Sequence, residues 1–260
     1  MPLQNPTKTF NFEKWQGAGN DFILIDHPAF NPSWTQQLCH RRYGIGADGV
    51  IWFLPPADMR IFNADGTEAA CCGNALRCLA AARNLSCINN KHHIKHHKKG
   101  LAVSMGVPKF ITSQTLDTGV PHHVVFDGHF QDAKSLRLEH NANVNFAKMI
   151  APGRIAIRTY ERGVEDETYS CGTGAVAVCA YAREHLQDPG PFTLEYISGD
   201  TLFVFFQEKE AWLVGDAKQT FRGEINANWD TERDQRSRIS SGSYSAVRSD
   251  VNAGWSSSSS

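Results

Sequence analysis

The sequence lacks any long hydrophobic run: its longest apolar stretches, around residues 22–25 and 174–182, fall far short of the roughly 20 residues needed to span a bilayer as a helix. It also lacks net charge. Lys and Arg number 26 against 27 Asp and Glu, leaving −1, which speaks against a general nucleic-acid or membrane-surface binder. Residues 1–8 carry no apolar core or cleavage-type site, so no secretory signal is expected and a cytoplasmic location is. The seven cysteines are odd in number and lie inside helix-like and strand-like segments. That pattern fits free thiols in a reducing compartment better than a disulfide framework. At 260 residues and 41% hydrophobic, the chain can bury one large core or two smaller ones.

Against these absences stands a stretch that the chain uses twice. Cys72-Gly73-Asn74 leads into Ala75-Leu76-Arg77-Cys78-Leu79-Ala80-Ala81-Ala82-Arg83, and Cys171-Gly172-Thr173-Gly174 leads into Ala175-Val176-Ala177-Val178-Cys179-Ala180-Tyr181-Ala182-Arg183. Each reads as a small-residue apolar helix with a cysteine at its mouth and Asn74 or Thr173 in its first turn. A thiol there meets the positive end of the macrodipole and free backbone N–H groups, which favour its anion and lower its pKa. The same N–H groups make a seat for a carboxylate. Two such mouths facing each other would hold one small anion between two thiols.

Around these helices the pattern is a pseudo-duplicated α+β one. Residues 10–15 alternate like a strand, pass through a glycine-rich turn and pair with a buried strand at 22–26. Gly17 and Gly19 do not make a dinucleotide fingerprint, because no third glycine follows and a strand comes next. Pro32 with the cap Ser33 opens a helix through about Arg42. Strands are expected at 50–54 and 59–62, with a tight turn at 63–66. Residues 91–99 hold His92, His93, His96 and His97 among lysines. A solvated edge strand accounts for them better than a metal site, and a nucleic-acid patch there lacks interleaved aromatics. Beyond a boundary near Pro108 and residues 112–115, strands are expected at 124–126, 141–146, 155–160, 192–197, 201–207, 212–214 and 221–225. Residues 227–260 are polar and end in five serines; disorder or an appended tail is expected.

Three readings compete for the Cys-Gly sites. Buried cysteines in small-residue helices are common and inert, which suits Cys39, Cys78, Cys87 and Cys179. As zinc ligands, Cys71, Cys72 and Cys78 have poor spacing and no second Cys-x-x-Cys to complete four ligands. As acid and base, Cys72 and Cys171 account for the duplication, which the other two readings leave unexplained. Inverting a carbon that bears a hydrogen needs a base on one face and an acid on the other, and one thiolate with one thiol supplies both. Backbone N–H donors on the substrate carboxylate would stabilise the carbanion, and closing the two halves would exclude water.

Six motifs, in order, resemble the diaminopimelate epimerases. They are Gly17-Ala18-Gly19-Asn20-Asp21-Phe22, Gly44-Ile45-Gly46-Ala47-Asp48-Gly49, Arg60-Ile61-Phe62-Asn63-Ala64-Asp65-Gly66, Cys72-Gly73-Asn74, Tyr160-Glu161-Arg162-Gly163 and Cys171-Gly172-Thr173-Gly174. The resemblance runs from about Phe12 to Ile225. It implies a cofactor-independent epimerase interconverting LL- and meso-diaminopimelate, a small-molecule amino-acid substrate, with no nucleic acid or membrane partner and a homodimeric state. It implies two pseudo-symmetric domains, each a mostly antiparallel curved sheet around a central helix, with the active site in the cleft between them. Their limits would be 10–110, completed by a strand near 218–226, and 111–217. Position by position, Cys72 and Cys171 match the catalytic thiols. Gly73, Asn74, Gly172 and Thr173 match the donors to the reacting carboxylate. Asn20, Asn63, Asn143, Glu161 and Arg162 match substrate-binding positions, with Arg162 suited to the distal carboxylate. His122 and Glu161 match a pair that tunes the thiols. No metal is implied. Cys71 fails the Cys-Gly match and is read as structural.

The chain also departs from that family. Gly119-Val120-Pro121-His122 replaces the usual Gly-Asn-Pro-His, putting an apolar side chain where an amide would meet the distal end of the substrate. Ala75 replaces a glycine, and the linker near residues 112–116 is short. Weaker distal discrimination is therefore expected, extending to shorter amino acids such as glutamate. The alternatives are an amino-acid racemase of glutamate or proline type on the same architecture, an isomerase lacking one thiol, a thiol redox or metal-binding module, and a catalytically silent binding protein. The presence of both Cys72 and Cys171 disfavours the one-thiol isomerase.

Overall fold

A computed structural model describes residues 9–226, so the tail at 227–260 lies outside the described residues. β1 (Thr9–Gly17) turns into β2 (Asn20–Ile25) through Ala18 and Gly19, which stand at φ 52° and 78°. Gly17 pairs with Asn20 across this two-residue turn. Two consecutive positive φ values match the right-handed twist of the flanking strands, and glycine at the second adopts one without steric cost.

The two halves then repeat one scheme. β2 passes through α1 (Thr35–Cys39) to its parallel neighbour β3 (Gly49–Leu54), which pairs antiparallel with β4 (Asp58–Asn63). β4 pairs with β5 (Glu68–Ala69), and α2 (Gly73–Arg83) follows. Next come β6 (Cys87–Ile88), β7 (His92–His97), β8 (Gly100–Gly106), β9 (Lys109–Phe110) and β10 (Thr115–Asp117). β11 (Pro121–Phe126) passes through α3 (Ala133–His140) to its parallel neighbour β12 (Asn143–Ala151). β12 pairs antiparallel with β13 (Arg154–Glu161), β13 with β14 (Asp166–Thr168), and α4 (Gly172–His185) follows. Each Cys-Gly helix thus leaves the same point of the same topology. β15 (Phe192–Glu195), β16 (Thr201–Gln207), β17 (Glu210–Gly215) and β18 (Lys218–Asn226) complete the chain.

One sheet has the order β18-β1-β2-β3-β4-β5; the other runs β6-β7-β8-β17-β16-β15-β13-β12-β11-β10-β9. The fold is α+β, with mostly antiparallel sheets and few helices. α4 is buried from Gly172 to Ala180, and α2 from Gly73 to Ala80. A helix apolar on all sides belongs inside a core, and the alanines and glycines of these two let neighbouring backbones approach closely. α2 ends where Asn84 takes the left-handed conformation at φ 50°, a C-terminal stop that Asn tolerates better than most residues.

Several expectations need correction. The helix expected through Arg42 is a 3-10 turn, Pro32–Trp34, followed by α1, which stops at Cys39. The loop after it folds back: the N–H groups of Ile45 and Gly46 both donate to Leu38 O, at 2.9 and 3.0 Å, using carbonyl capacity that another turn would need. α3 had no expected counterpart, because Ala133 alone among its residues is buried, too little to give a periodic signal. The histidine-rich strand is not wholly solvated. His92 is buried with Nδ1 2.8 Å from Ser104 O. The rings missing from its own sequence come from β16 and β17: His97 stacks on Phe203 and Phe205, and Lys95 Nζ stands 3.5 Å from the centre of the Trp212 ring.

Candidate active site

Cys72 and Cys171 occupy the N-cap positions of α2 and α4, both in extended backbone, at φ −145° and −125° with ψ 110° in each. Their carbonyls accept the first helical hydrogen bonds, from Leu76 N at 3.0 Å and Ala175 N at 2.9 Å. Neither sulfur reaches full capping geometry, although first-turn N–H groups lie close enough to act on each. The residue after each cysteine has no room for a side chain: a Cβ on Gly73 would fall 2.4 Å from Leu213 Cδ2, and one on Gly172 2.7 Å from the same methyl. That Cβ on Gly172 would also lie 3.6 Å from Gly73 Cα. The two helix mouths therefore meet at this glycine pair.

The sequence suggests thiols with lowered pKa; the structure reverses the sign. Burial pushes Cys72 up to about 12, against the opposing pull of the Ala75 and Asn74 N–H groups, with Cys71 and Glu161 adding to the rise. Burial raises Cys171 as well, reinforced by Glu161 and Cys72, while the Thr173 hydroxyl and Gly174 N–H oppose it. Desolvation of a thiolate outweighs the helix mouth here, even though the buried Arg77 guanidinium attracts the Cys72 sulfur. Glu161, half-buried at the end of β13, acts on both thiols; burial pushes its own carboxyl up, with Asp48 contributing.

On the Cys171 side, Thr173 Oγ1 lies 3.4 Å from the sulfur and 2.9 Å from His122 Nε2. His122 is wholly buried, and this burial drops its pKa to about 3, leaving a neutral imidazole. On the Cys72 side, Asn20 Oδ1 lies 3.8 Å from the sulfur and accepts from Asn74 Nδ2 at 3.2 Å. Asn20 Nδ2 donates to Asp48 Oδ2 at 2.8 Å. Burial would raise the neighbouring Asp21, but hydrogen bonds from Arg41 and Lys14 prevail and hold it at about 2.

Asn143 and His122 are register partners on β12 and β11. Asn143 Oδ1 accepts from Arg162 N at 2.8 Å, so this backbone N–H holds the turn against the site. The Arg162 guanidinium is exposed and donates to Asn141 O at 2.9 Å. Asn63 is the outlying member. Its amide donates to Thr67 Oγ1 at 3.0 Å within its own turn, although its backbone pairs with Gly49, next to Asp48. Gly119, at φ 105°, brings the Val120 turn against the segment that leads into α2: a Cβ there would lie 3.3 Å from Cys71 Cβ. Burial pushes the Cys71 thiol up to about 11.

Sequence reasoning missed several residues that hold these groups. Arg77 is fully buried inside α2 and donates to Asn74 Oδ1 at 2.6 Å and to Gly73 O and Asp216 O at 3.4 Å each. Ser170, just before Cys171, accepts from Asn74 Nδ2 at 3.2 Å and donates to Ala18 O at 2.7 Å. Tyr196 donates to Cys171 O at 3.0 Å. An arginine in the middle of a small-residue helix was the one visible signal, since a buried guanidinium demands acceptors. Among the described residues, no group of three or more His, Cys, Asp or Glu is arranged to hold a metal ion.

The family model described as Diaminopimelate epimerase matches residues 12–109. A diaminopimelate epimerase of Flavobacterium psychrophilum is 39% identical over 252 residues, covering 82% of this chain and 98% of its own. That of Methanocella arvoryzae is 34% identical over 279 residues, covering 84% and 97%. Among solved structures, a hydroxyproline epimerase from Agrobacterium vitis superposes with a TM-score of 0.61 at 13% identity, covering 87% of this chain and 94% of that one. A PhzF-family phenazine biosynthesis protein from Bacillus anthracis gives 0.61 at 15% identity, covering 84% and 99%. These structures share the fold alone. A matched pair of Cys-Gly helix mouths, set in sequence similarity that spans nearly the whole of the curated relatives, gives the conclusion that this chain belongs to the diaminopimelate epimerase family, whose members are isomerases.

Proposed function

We propose that the protein interconverts LL- and meso-diaminopimelate by proton transfer between Cys72 and Cys171, without a cofactor. The observation that carries this reading is the meeting of two equivalent thiol-bearing helix mouths at Gly73 and Gly172, with Glu161 acting on both sulfurs. The substrate's α-carboxylate sits on the N–H groups of Gly73, Asn74, Gly172 and Thr173, where developing enolate charge is stabilised. Asn20, Asn63, Asn143 and Arg162 hold the rest of the molecule. One sulfur removes the α-proton as the other delivers one from the opposite face, and the roles exchange in reverse. Burial favours the neutral thiol at both positions, so the base must gain its negative charge against desolvation. A bound α-ammonium adds positive charge beside the sulfurs and favours the thiolate that acts as base.

On this reading the substrate lies between two pseudo-symmetric domains, 10–110 with 218–226 and 111–217. The enzyme is a cytoplasmic homodimer that serves lysine and peptidoglycan synthesis. His122 and Glu161 tune the thiols. The test is incubation with LL-diaminopimelate in deuterated water, with expected deuterium at one α-carbon. Cys72→Ala and Cys171→Ala should each nearly abolish conversion while circular dichroism is unchanged. Conversion at the wild-type rate by either variant would overturn the two-thiol reading.

A further inference from the structure

Behind Cys171 lies a chain of fully buried polar side chains, of which the two-thiol reading uses only His122. Asn145, Thr159 and His122 each have no exposed surface. Thr159 Oγ1 donates to Asn145 Oδ1 at 3.1 Å, and Asn145 Nδ2 lies 3.4 Å from His123 O. The His123 carbonyl can only accept, so it fixes which way the amide faces, and the Thr159 hydroxyl secures that orientation by donating to the amide oxygen. Its Nδ2 then donates to His122 Nδ1 at 3.0 Å, leaving Nε2 as the protonated ring nitrogen of a neutral imidazole. Nε2–H points at Thr173 Oγ1, 2.9 Å away, and Thr173 Oγ1 is 3.4 Å from Cys171 Sγ. Asn143 Nδ2 also approaches Nε2, at 3.4 Å, but the Asn145 contact is the closer one. A hydroxyl that accepts from the imidazole has its own proton left to give to the sulfur. Gly174 leaves the room for this: a Cβ there would lie 2.2 Å from Asn145 Oδ1.

We propose that Asn145 and Thr159 are positioning residues that fix the Nε2–H tautomer of His122 and so direct the Thr173 O–H at Cys171 as a thiolate-stabilising donor. The inference rests on the two-thiol reading for its catalytic meaning, but the hydrogen-bond order does not depend on it. Three ionisable groups face this sulfur from elsewhere: Cys72 on the α2 mouth, Glu161 on β13 and Tyr196 after β15. All three become negative when ionised, so none of them helps the Cys171 anion, and the directed hydroxyl and the Gly174 N–H are the groups that favour it. With the opposite tautomer, Thr173 would spend its proton on Nε2 and turn a lone pair to the sulfur.

Two measurements test the proposal. The first is 15N NMR of the imidazole of His122, assigned by its loss in His122→Asn. The Nε2–H tautomer is expected, and an Nδ1–H tautomer overturns the proposal whatever the enzyme's activity. The second is iodoacetamide labelling of Cys171 at fixed pH in a Cys72→Ala background, read on the peptide that carries it. Thr159→Val and Asn145→Leu should slow labelling about tenfold, the loss that follows one unit of raised thiol pKa, and Thr159→Ser should restore it. Loosened packing would expose the sulfur and speed labelling, so the sign separates the two causes. A Thr159→Val rate within twofold of the parent, or a Thr159→Ser rate as slow as that of Thr159→Val, overturns the proposal. Should Asn145→Leu fail to fold, the Thr159 pair carries the test, and should that pair fail the wild-type tautomer decides. Full conversion by Cys171→Ala would sink the two-thiol mechanism and leave both of these results standing.

Discussion

Gly172 and Gly73 stand back to back, each a helix's first residue and each pressed against the same Leu213 methyl, 2.7 and 2.4 Å from where a Cβ would be. Neither takes a positive φ, so the constraint is space and not backbone conformation. Gly172→Ala and Gly73→Ala are each expected to destabilise the fold by about 1–3 kcal/mol through overpacking. They should also lower epimerisation by displacing a thiol. Adding Leu213→Ala to Gly172→Ala should return part of the stability in urea unfolding. Failure of the double variant to recover any would place the strain elsewhere.

Arg77 ties this pair to the substrate-facing amides. Burial lowers its pKa, and its hydrogen bonds go to carbonyl and amide oxygens of Asn74, Gly73 and Asp216. Arg77→Met leaves these acceptors unpaired in a dry site, at an expected loss of about 1–3 kcal/mol. Arg77→Lys keeps the charge but lacks the planar fork that reaches three acceptors, so it should recover little. Urea midpoints of the three proteins check this; a Lys variant as stable as wild type would show that charge alone suffices.

Much of this was legible in the sequence where local chemistry and tertiary use coincide. Cys72-Gly73 and Cys171-Gly172 announce two helix starts because a glycine after a thiol has little reason to exist unless something packs against it. The Ala18-Gly19 turn is likewise a local conformational demand. What stayed hidden was set by distant partners. Nothing near Asn145 or Thr159 in sequence reveals that they meet at 3.1 Å behind His122. The thiol shift differs in sign from the local expectation for the same reason: a helix mouth is a local feature, whereas desolvation is imposed by the whole fold. α3 is invisible to periodicity but sits where α1 sits in the first half, so the internal repeat was the signal that could have found it.

His122 and His123 make the fold sensitive to acid. Burial holds His122 at about 3 and, with His140 stacked on its ring, His123 at about 4, both below the ordinary 6.5. The unfolded chain takes up protons below about pH 6.5 that the folded chain refuses, so their contribution to stability is complete above that pH. It falls as the pH drops from there towards 4 and 3. Each histidine adds a slope of up to about 1.4 kcal/mol per pH unit in that window. Removing one, as in His122→Gln, should flatten the wild-type curve between pH 6 and 4 by about that much. Equal slopes for the two proteins would mean that His122 is protonated in the folded state.

Val120 gives the last expectation. It is half-buried in the turn ahead of β11, where Thr118 N donates to its carbonyl at 3.2 Å, and it sits two residues before His122. An asparagine there would offer an amide to the polar distal end of diaminopimelate; valine offers only methyl groups. One hydrogen bond of about 0.5–1.5 kcal/mol corresponds to roughly tenfold in discrimination at most. Val120→Asn should therefore raise kcat/KM for diaminopimelate up to about tenfold relative to that for glutamate, whose side chain is shorter. The parent protein should racemise glutamate slowly but measurably. An isosteric Val120→Thr, with a hydroxyl but less reach, should fall between the two. If the ratio of the two substrates is the same in all three proteins, Val120 does not face the distal end, and discrimination rests on Arg162 and the asparagines.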